Sequence, residues 1–160
     1  MERIDKLIDD QVFLMHLAAI ETAETNRVFC KHGMEHFMDV ARIAWILNLE
    51  EKQGIEKDVI YAAALLHDIG KHMQYSNGDA HEIAGSEIAP PILKACGFTE
   101  EEIENIRLAI LSHRDGQVAE EKSLRGILYR ADKMSRACYS CKKSEECNWA
   151  EKKKNTRIEY

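Results

Sequence analysis

The stretch Asp58-Val-Ile-Tyr-Ala-Ala-Ala-Leu-Leu-His67-Asp68-Ile-Gly-Lys71 decides how this chain reads. It has no two-residue alternation. Val59, Ala63 and Leu66 follow the helical period, with Asp58 as the expected N-cap and Ile69-Gly70 as the expected end or bend. His67 comes four residues after Ala63, on the apolar face, and Asp68 stands beside it. An imidazole and a carboxylate at the end of a strongly apolar helix mark this as more than a core segment.

The same period recurs on both sides. Upstream, apolar positions run from Ile4 to about Glu24. A break is expected around Thr25 to Gly33, and from about Met34 to Asn48 the residues His36, Val40, Ile43 and Leu47 make one stripe. Downstream, Ser76-Asn-Gly-Asp79 is a turn signal, and a helix from about Ala80 carries Ile83 and Ile88. Pro90-Pro91 is expected to break or restart that helix, because proline removes a donor and disfavours helix before it. Gly97 is a stop signal, and Thr99-Glu-Glu-Glu102 reads as a capping box opening a helix through Ile103, Ile106, Ile110 and His113. After the Asp115-Gly116 turn, a last helix is expected from about Ser123 through Leu124, Ile127, Leu128 and Ala131 toward Cys138. The lysine-rich end, Asn148 to Tyr160, is expected to fray. The expectation is one all-α domain over residues 1–160, a bundle of about six helices, with 138–160 as a Cys-containing C-terminal extension.

Composition sets the outer limits. The chain has 160 residues, of which 45% are apolar, enough for a core and against wholesale disorder. Lys plus Arg is 22 and Asp plus Glu is 28, a formal charge of −6. That balance argues against a broad nucleic-acid surface or a membrane-surface protein. No 18-residue apolar run and no signal-like start is present, so a cytoplasmic protein is expected. Five cysteines are an odd number, which favours metal binding, redox chemistry or burial over a disulfide framework.

The informative residues interrupt the apolar stripes. His36 is four before Val40, His113 is three after Ile110, and Asp132 is four after Leu128 and eight after Leu124, so each shares a face with core residues. One buried histidine is ordinary, but two buried carboxylates need compensation. Pairing with Lys or Arg, local caps, and a shared cation all compete as explanations. Only the cation accounts for several His and two Asp on separate helices together.

With these residues in view, the chain resembles the HD superfamily of metal-dependent phosphohydrolases. The matching stretches are His36-Phe-Met-Asp-Val40-Ala-Arg, Ala64-Leu-Leu-His67-Asp68-Ile-Gly-Lys71 and Leu128-Tyr-Arg-Ala-Asp132-Lys, in that family's order and together spanning roughly Arg27 to Arg136. His81-Glu-Ile-Ala-Gly85 and Ile110-Leu-Ser-His113-Arg-Asp-Gly116 resemble the two extra His motifs of two-metal members. Those include the YqeK-type dinucleoside tetraphosphate hydrolases and the HD-GYP cyclic-dinucleotide phosphodiesterases. The chain departs from the latter in lacking Gly-Tyr-Pro after His113. The resemblance implies a bimetal site of His36, His67, Asp68, His81, His113 and Asp132. Asp68 bridges, His36, His67 and Asp132 complete one metal, and His81 and His113 complete the other.

Four imidazoles and two carboxylates suit Fe, Mn, Co, Ni or Zn better than Mg or Ca. Two such ions would supply a metal-activated water, and Asp68 is then catalytic as well as a ligand. They would also move the formal charge from −6 to −2, so an acidic chain can still attract a phosphoester. Lys71 is the first candidate for a catalytic phosphate contact, against a solvated helix-end lysine. His32, one turn before His36, is a candidate for substrate contact or proton transfer. Arg114 and Arg136 are within reach of proposed ligands and are substrate-binding candidates, against plain surface ion pairing. His72 is expected to point away from His67, and His16 carries no motif. Cys138-Tyr-Ser-Cys141 with Cys147 suggests a structural zinc knuckle with Cys30 as fourth ligand, against unligated thiols.

The expected function is a metal-dependent phosphohydrolase acting on a nucleotide or another small phosphoester. HD-fold di-iron oxygenases resemble the same ligand set and are the alternative, followed by a non-catalytic nucleotide-binding module. The sequence does not indicate the oligomeric state.

Overall fold

The computed structural model describes all residues, 1–160. Every regular element is helical: α1 (Glu2–Ile8), α2 (Gln11–Ala23), α3 (Met34–Glu50), α4 (Lys57–Leu66), α5 (Lys71–Asn77), α6 (His81–Ala95), α7 (Glu100–Ser112) and α8 (Leu124–Met134), with three short 3-10 turns. The all-α expectation holds, and the count rises from about six to eight for two reasons. Asp10 accepts from the backbone N–H groups of Val12 and Phe13 at 2.9 and 3.0 Å, so the first expected helix is two helices capped afresh. The second is α5, a seven-residue helix between Gly70 and Gly78 that buries none of its residues and so leaves no apolar stripe.

Helix α4 is the centre of the bundle. Val59 to Leu66 are all buried, as a helix surrounded on every side must be. Helix α3 packs on it through Phe37, Val40, Ala44 and Leu47, and α7 and α8 close around it with Ile106, Ile110, Ile127 and Leu128. Asn48 fixes the α3–α4 connection: its side-chain amide bonds the N–H of Ile55 at 3.1 Å and its C=O at 3.2 Å. Asp58 is not the N-cap of α4; Glu56 holds that position. Asp58 instead accepts from Arg3 Nε at 2.6 Å, and Arg3 also donates to Glu102 at 2.8 and 2.9 Å, tying α1 to α4 and α7.

The Thr99–Glu102 capping box forms as expected, with Thr99 N–H donating to Glu102 at 2.8 Å and Glu102 N–H donating to Thr99 at 3.3 Å. Gly97 takes φ of 89°, and Phe98 N–H reaches the Leu93 carbonyl at 3.1 Å, ending α6. Pro90 and Pro91 do not break α6, which runs unbroken to Ala95. They forfeit only the donors toward Ser86 and Glu87, while burial of Ala89, Ile92 and Leu93 holds the segment helical. The lysine-rich end does not fray either. Asn155 Nδ2 lies 2.8, 3.1 and 2.9 Å from the carbonyls of Lys133, Met134 and Arg136, which are orphan acceptors at the end of α8. Tyr160 donates to Glu50 at 3.0 Å.

Candidate metal centre

Six side chains converge from helix ends. His36 comes from the first turn of α3, His67 and Asp68 from the end of α4, His81 from the start of α6, His113 from the end of α7, and Asp132 from the last turn of α8. All but His36 are buried, and His36 stands at the mouth. The donor atoms fall into two triads, each within 4.8 Å: His36, His67 and Asp132; and Asp68, His81 and His113.

Asp68 joins them. Its Oδ2 lies 3.2 Å from His67 Nε2 and 3.6 Å from His36 Nε2, while its Oδ1 lies 2.9 Å from His81 Nε2 and 3.5 Å from His113 Nε2. Asp132 Oδ1 stands 3.6 Å from His36 and 3.9 Å from His67. One carboxylate with each oxygen facing a different histidine pair is the disposition of a bridging ligand.

The far side of every imidazole fixes its tautomer. Nδ1–H of His67 donates to the Ala64 carbonyl at 2.7 Å, and that of His113 to the Ile110 carbonyl at 2.6 Å. His81 Nδ1–H donates to Gln74 Oε1 at 2.5 Å. Ser135 Oγ donates to the Asp132 carbonyl at 2.8 Å and so accepts from His36 Nδ1–H at 3.4 Å. With Nδ1 committed to these outer partners, each ring turns its Nε2 toward the centre. Yet the Nε2 atoms of His36 and His67 are 3.3 Å apart, and those of His81 and His113 are 3.2 Å apart. In the neutral Nδ1–H rings these are two facing lone pairs, which repel. A cation between them turns that repulsion into ligation, so the donor set fits a divalent metal, with outer partners orienting each ring.

Electrostatics agrees. Burial alone would raise the Asp68 carboxyl, but His67, His113 and His36 outweigh it and hold it well below the usual carboxylate range. Asp132 shows the same contest: burial pushes up, and Lys133 with His67 pulls it down. Burial lowers His113, whereas at His67 burial is outweighed by the Asp68 and Asp132 carboxylates, which raise it, so the cluster as a whole draws positive charge.

A cleft of about 630 Å³ opens on this centre. His32, Lys71, Arg114 and Arg136 all line it, as do Arg27, Lys133, Lys152 and Lys153. Lys71 Nζ is 3.5 Å from His81 Nδ1, and burial lowers its pKa. Arg114 is half exposed and pairs with Glu82 at 3.3 Å. Arg136 lies 3.6 Å over the Trp149 ring. His32 Nε2 is 3.9 Å from Asp68 Oδ2. His72 points away, and its Nε2 meets His16 Nδ1 at 2.7 Å.

Sequence reading missed Glu24 and Gln74. Glu24 is 2% exposed and accepts from His32 Nδ1 at 2.5 Å, from His32 N–H at 2.7 Å and from Tyr75 at 2.5 Å. Its signal was present, because it lies four residues after Ile20 and seven after Leu17, on their buried face. Gln74 had none, since α5 has no stripe to place it. Cys30, Cys138, Cys141 and Cys147 share a neighbouring groove as free thiols. The ligand groups that close to within 4.8 Å are the two His/Asp triads; the four thiols do not form a third.

Comparison with known proteins agrees with this geometry. Residues 33–137 match the HD domain family. An uncharacterized protein of Clostridium beijerinckii is 47% identical over 160 residues, all of both chains. "Putative phosphohydrolase YueE" of Bacillus subtilis is 32% identical over 118 residues, covering 65% of this chain and 66% of its own. The crystal structure of a "predicted HD superfamily hydrolase" from an uncultured Thermotogales bacterium superposes with a TM-score of 0.63 at 26% identity, covering 89% of this chain and 80% of that one. With the ordered motifs, the six convergent donors and the matched span in agreement, this chain belongs to the HD domain family.

Proposed function

We propose that this protein is a two-metal phosphohydrolase of small phosphoesters, with nucleotides as the first substrate class to test. The observation that carries the reading is the pair of facing Nε2 contacts on either side of Asp68. Their chemistry calls for a cation in each triad. Two divalent transition-metal ions (Fe, Mn, Co, Ni or Zn), when bound, would supply Lewis-acid polarisation of a phosphoryl group and activation of a water. His36, His67 and Asp132 would hold one and His81 and His113 the other, with Asp68 shared.

The protein's own groups account for the rest. Lys71 lines the cleft beside His81, and Arg114 lines it while paired with Glu82. His32 is held by Glu24 with its Nδ1–H donated, so its Nε2 faces the reacting region as the nearest group for moving a proton. The basic lining of the cleft supports an anionic substrate.

The test is a phosphate-release screen on anaerobically purified protein loaded with each metal in turn. Release that needs metal but not oxygen supports the proposal. Turnover confined to iron with oxygen would replace it with the oxygenase reading.

A further inference from the structure

The cleft has a wall that the HD domain does not supply. Residues 138–160 lie beyond the matched span, and they bring Trp149, Lys152 and Lys153 to the cavity over the metal centre. This segment carries six Lys or Arg against four Asp or Glu, while the other 137 residues carry sixteen against twenty-four. The positive charge is therefore concentrated where the cleft is. Neither Lys152 nor Lys153 has a carboxylate within 4.0 Å, unlike Lys133, which is spent on Asp132, and Arg114, which is spent on Glu82. Lys153 Nζ stands 5.7 Å from the centre of the Trp149 ring.

Arg136 adds an independent sign. Its guanidinium is stacked on Trp149 with Nη2 4.0 Å from Asp132 Oδ2, and its Nη1 is buried without any hydrogen-bond partner. A buried, unpartnered donor is costly and is relieved by an acceptor entering the cavity. Nor is the wall loose: Asn155 fastens it to the end of α8, and Lys154 Nζ donates to the Ser144 carbonyl at 2.7 Å. The backbone that carries the exposed Lys152 and Lys153 is thus fixed before binding, so less freedom is lost on meeting an anion. The cleft volume is also in the range of pockets for whole small molecules rather than for one phosphate alone.

We propose that Arg136, Lys152 and Lys153, gathered about Trp149, form a second anion subsite, for a substrate group other than the phosphoryl group held at Asp68. The preferred substrates then carry two separated anionic groups. This rests on the phosphohydrolase reading of the Asp68 centre and adds a specificity element supplied by the C-terminal segment.

Calorimetric titration of the metal-loaded full chain with AMP and with adenosine 3′,5′-bisphosphate tests it. The bisphosphate is expected to bind at least about tenfold tighter than AMP. K152A/K153A should reduce that advantage to about twofold, while K142A/K143A, the same charge loss outside the cleft, should keep it. An advantage unchanged in K152A/K153A, no advantage in the wild type, or no binding of either probe overturns the subsite. Phosphate release separates the two ideas. A tenfold advantage lost in K152A/K153A, in a protein that hydrolyses no phosphoester, would uphold the subsite and sink only the hydrolase reading.

Discussion

Asp68 and the groups behind the histidines carry the chemistry at the residue scale. Asp68 bridges the triads only because each ring is held from behind, and Gln74 is the one such partner that is a side-chain amide. Gln74→Leu removes the acceptor of His81 Nδ1–H and should weaken metal binding at the Asp68/His81/His113 triad by roughly tenfold, leaving the other triad little changed. Stepwise metal titration would resolve the two. Glu24 sets a second expectation. Burial pushes its carboxyl up, but His32, Tyr75 and the His32 N–H bring it down to about 2, against a usual value of 4.5. A lowered carboxylate stabilises the fold fully above pH 4.5, and that contribution is lost as the pH falls toward about 2. Chemical denaturation at pH 6 and about pH 3 should show wild type losing up to about 2 kcal/mol more than Glu24→Gln across that interval. Equal losses would mean that Glu24 has no special role.

The helices place these residues, and their junctions are the sensitive points. Gly70 ends the α4 turn against α6. A Cβ there would lie 2.6 Å from Gly85 N and from the His81 carbonyl oxygen, both backbone atoms that cannot move aside independently. Gly70→Ala should cost about 1–3 kcal/mol, seen as a melting temperature lower by roughly 3–10 °C, and should displace His81 from Asp68. A melting point within a degree of wild type would refute that packing. Much of this was legible beforehand. The long stripes of α3, α4, α7 and α8 announce themselves through period and caps, and Thr99 formed its box as read. What stayed hidden has local causes. Asp10 splits the first helix through a side-chain cap that apolar spacing does not record. Helix α5 is too short and too exposed to have a stripe. Pro90 and Pro91 lose to the packing of α6, a tertiary effect that local propensity cannot weigh.

At the scale of the whole molecule, a bundle around α4 brings five helix ends to one place. His36, His67 with its neighbour Asp68, His113 and Asp132 were legible as polar interruptions of apolar stripes, whereas His81 and the pairing across Asp68 came only from the family resemblance, because apolar spacing does not record how the helices cross. The C-terminal segment was the least legible part: composition suggested a frayed tail, and its anchor is one asparagine meeting three carbonyls of α8. Because the ligands come from α3, α4, α6, α7 and α8, bound metal should fasten the bundle as a unit. A ligand that binds only the folded state adds stability by mass action. Chelation should therefore lower the melting temperature of the whole domain in one transition, and re-addition of metal in excess should restore it. A melting curve indifferent to chelation would speak against a centre shared by five helices.

Metal content of the anaerobically purified protein and of its Asp68→Ala variant, each assayed beside phosphate release, tests the two-metal centre most directly. The bridging geometry predicts two divalent ions per chain in the wild type, with loss of tightly bound metal and of metal-dependent phosphate release in Asp68→Ala. Full metal content and full activity in that variant would contradict it.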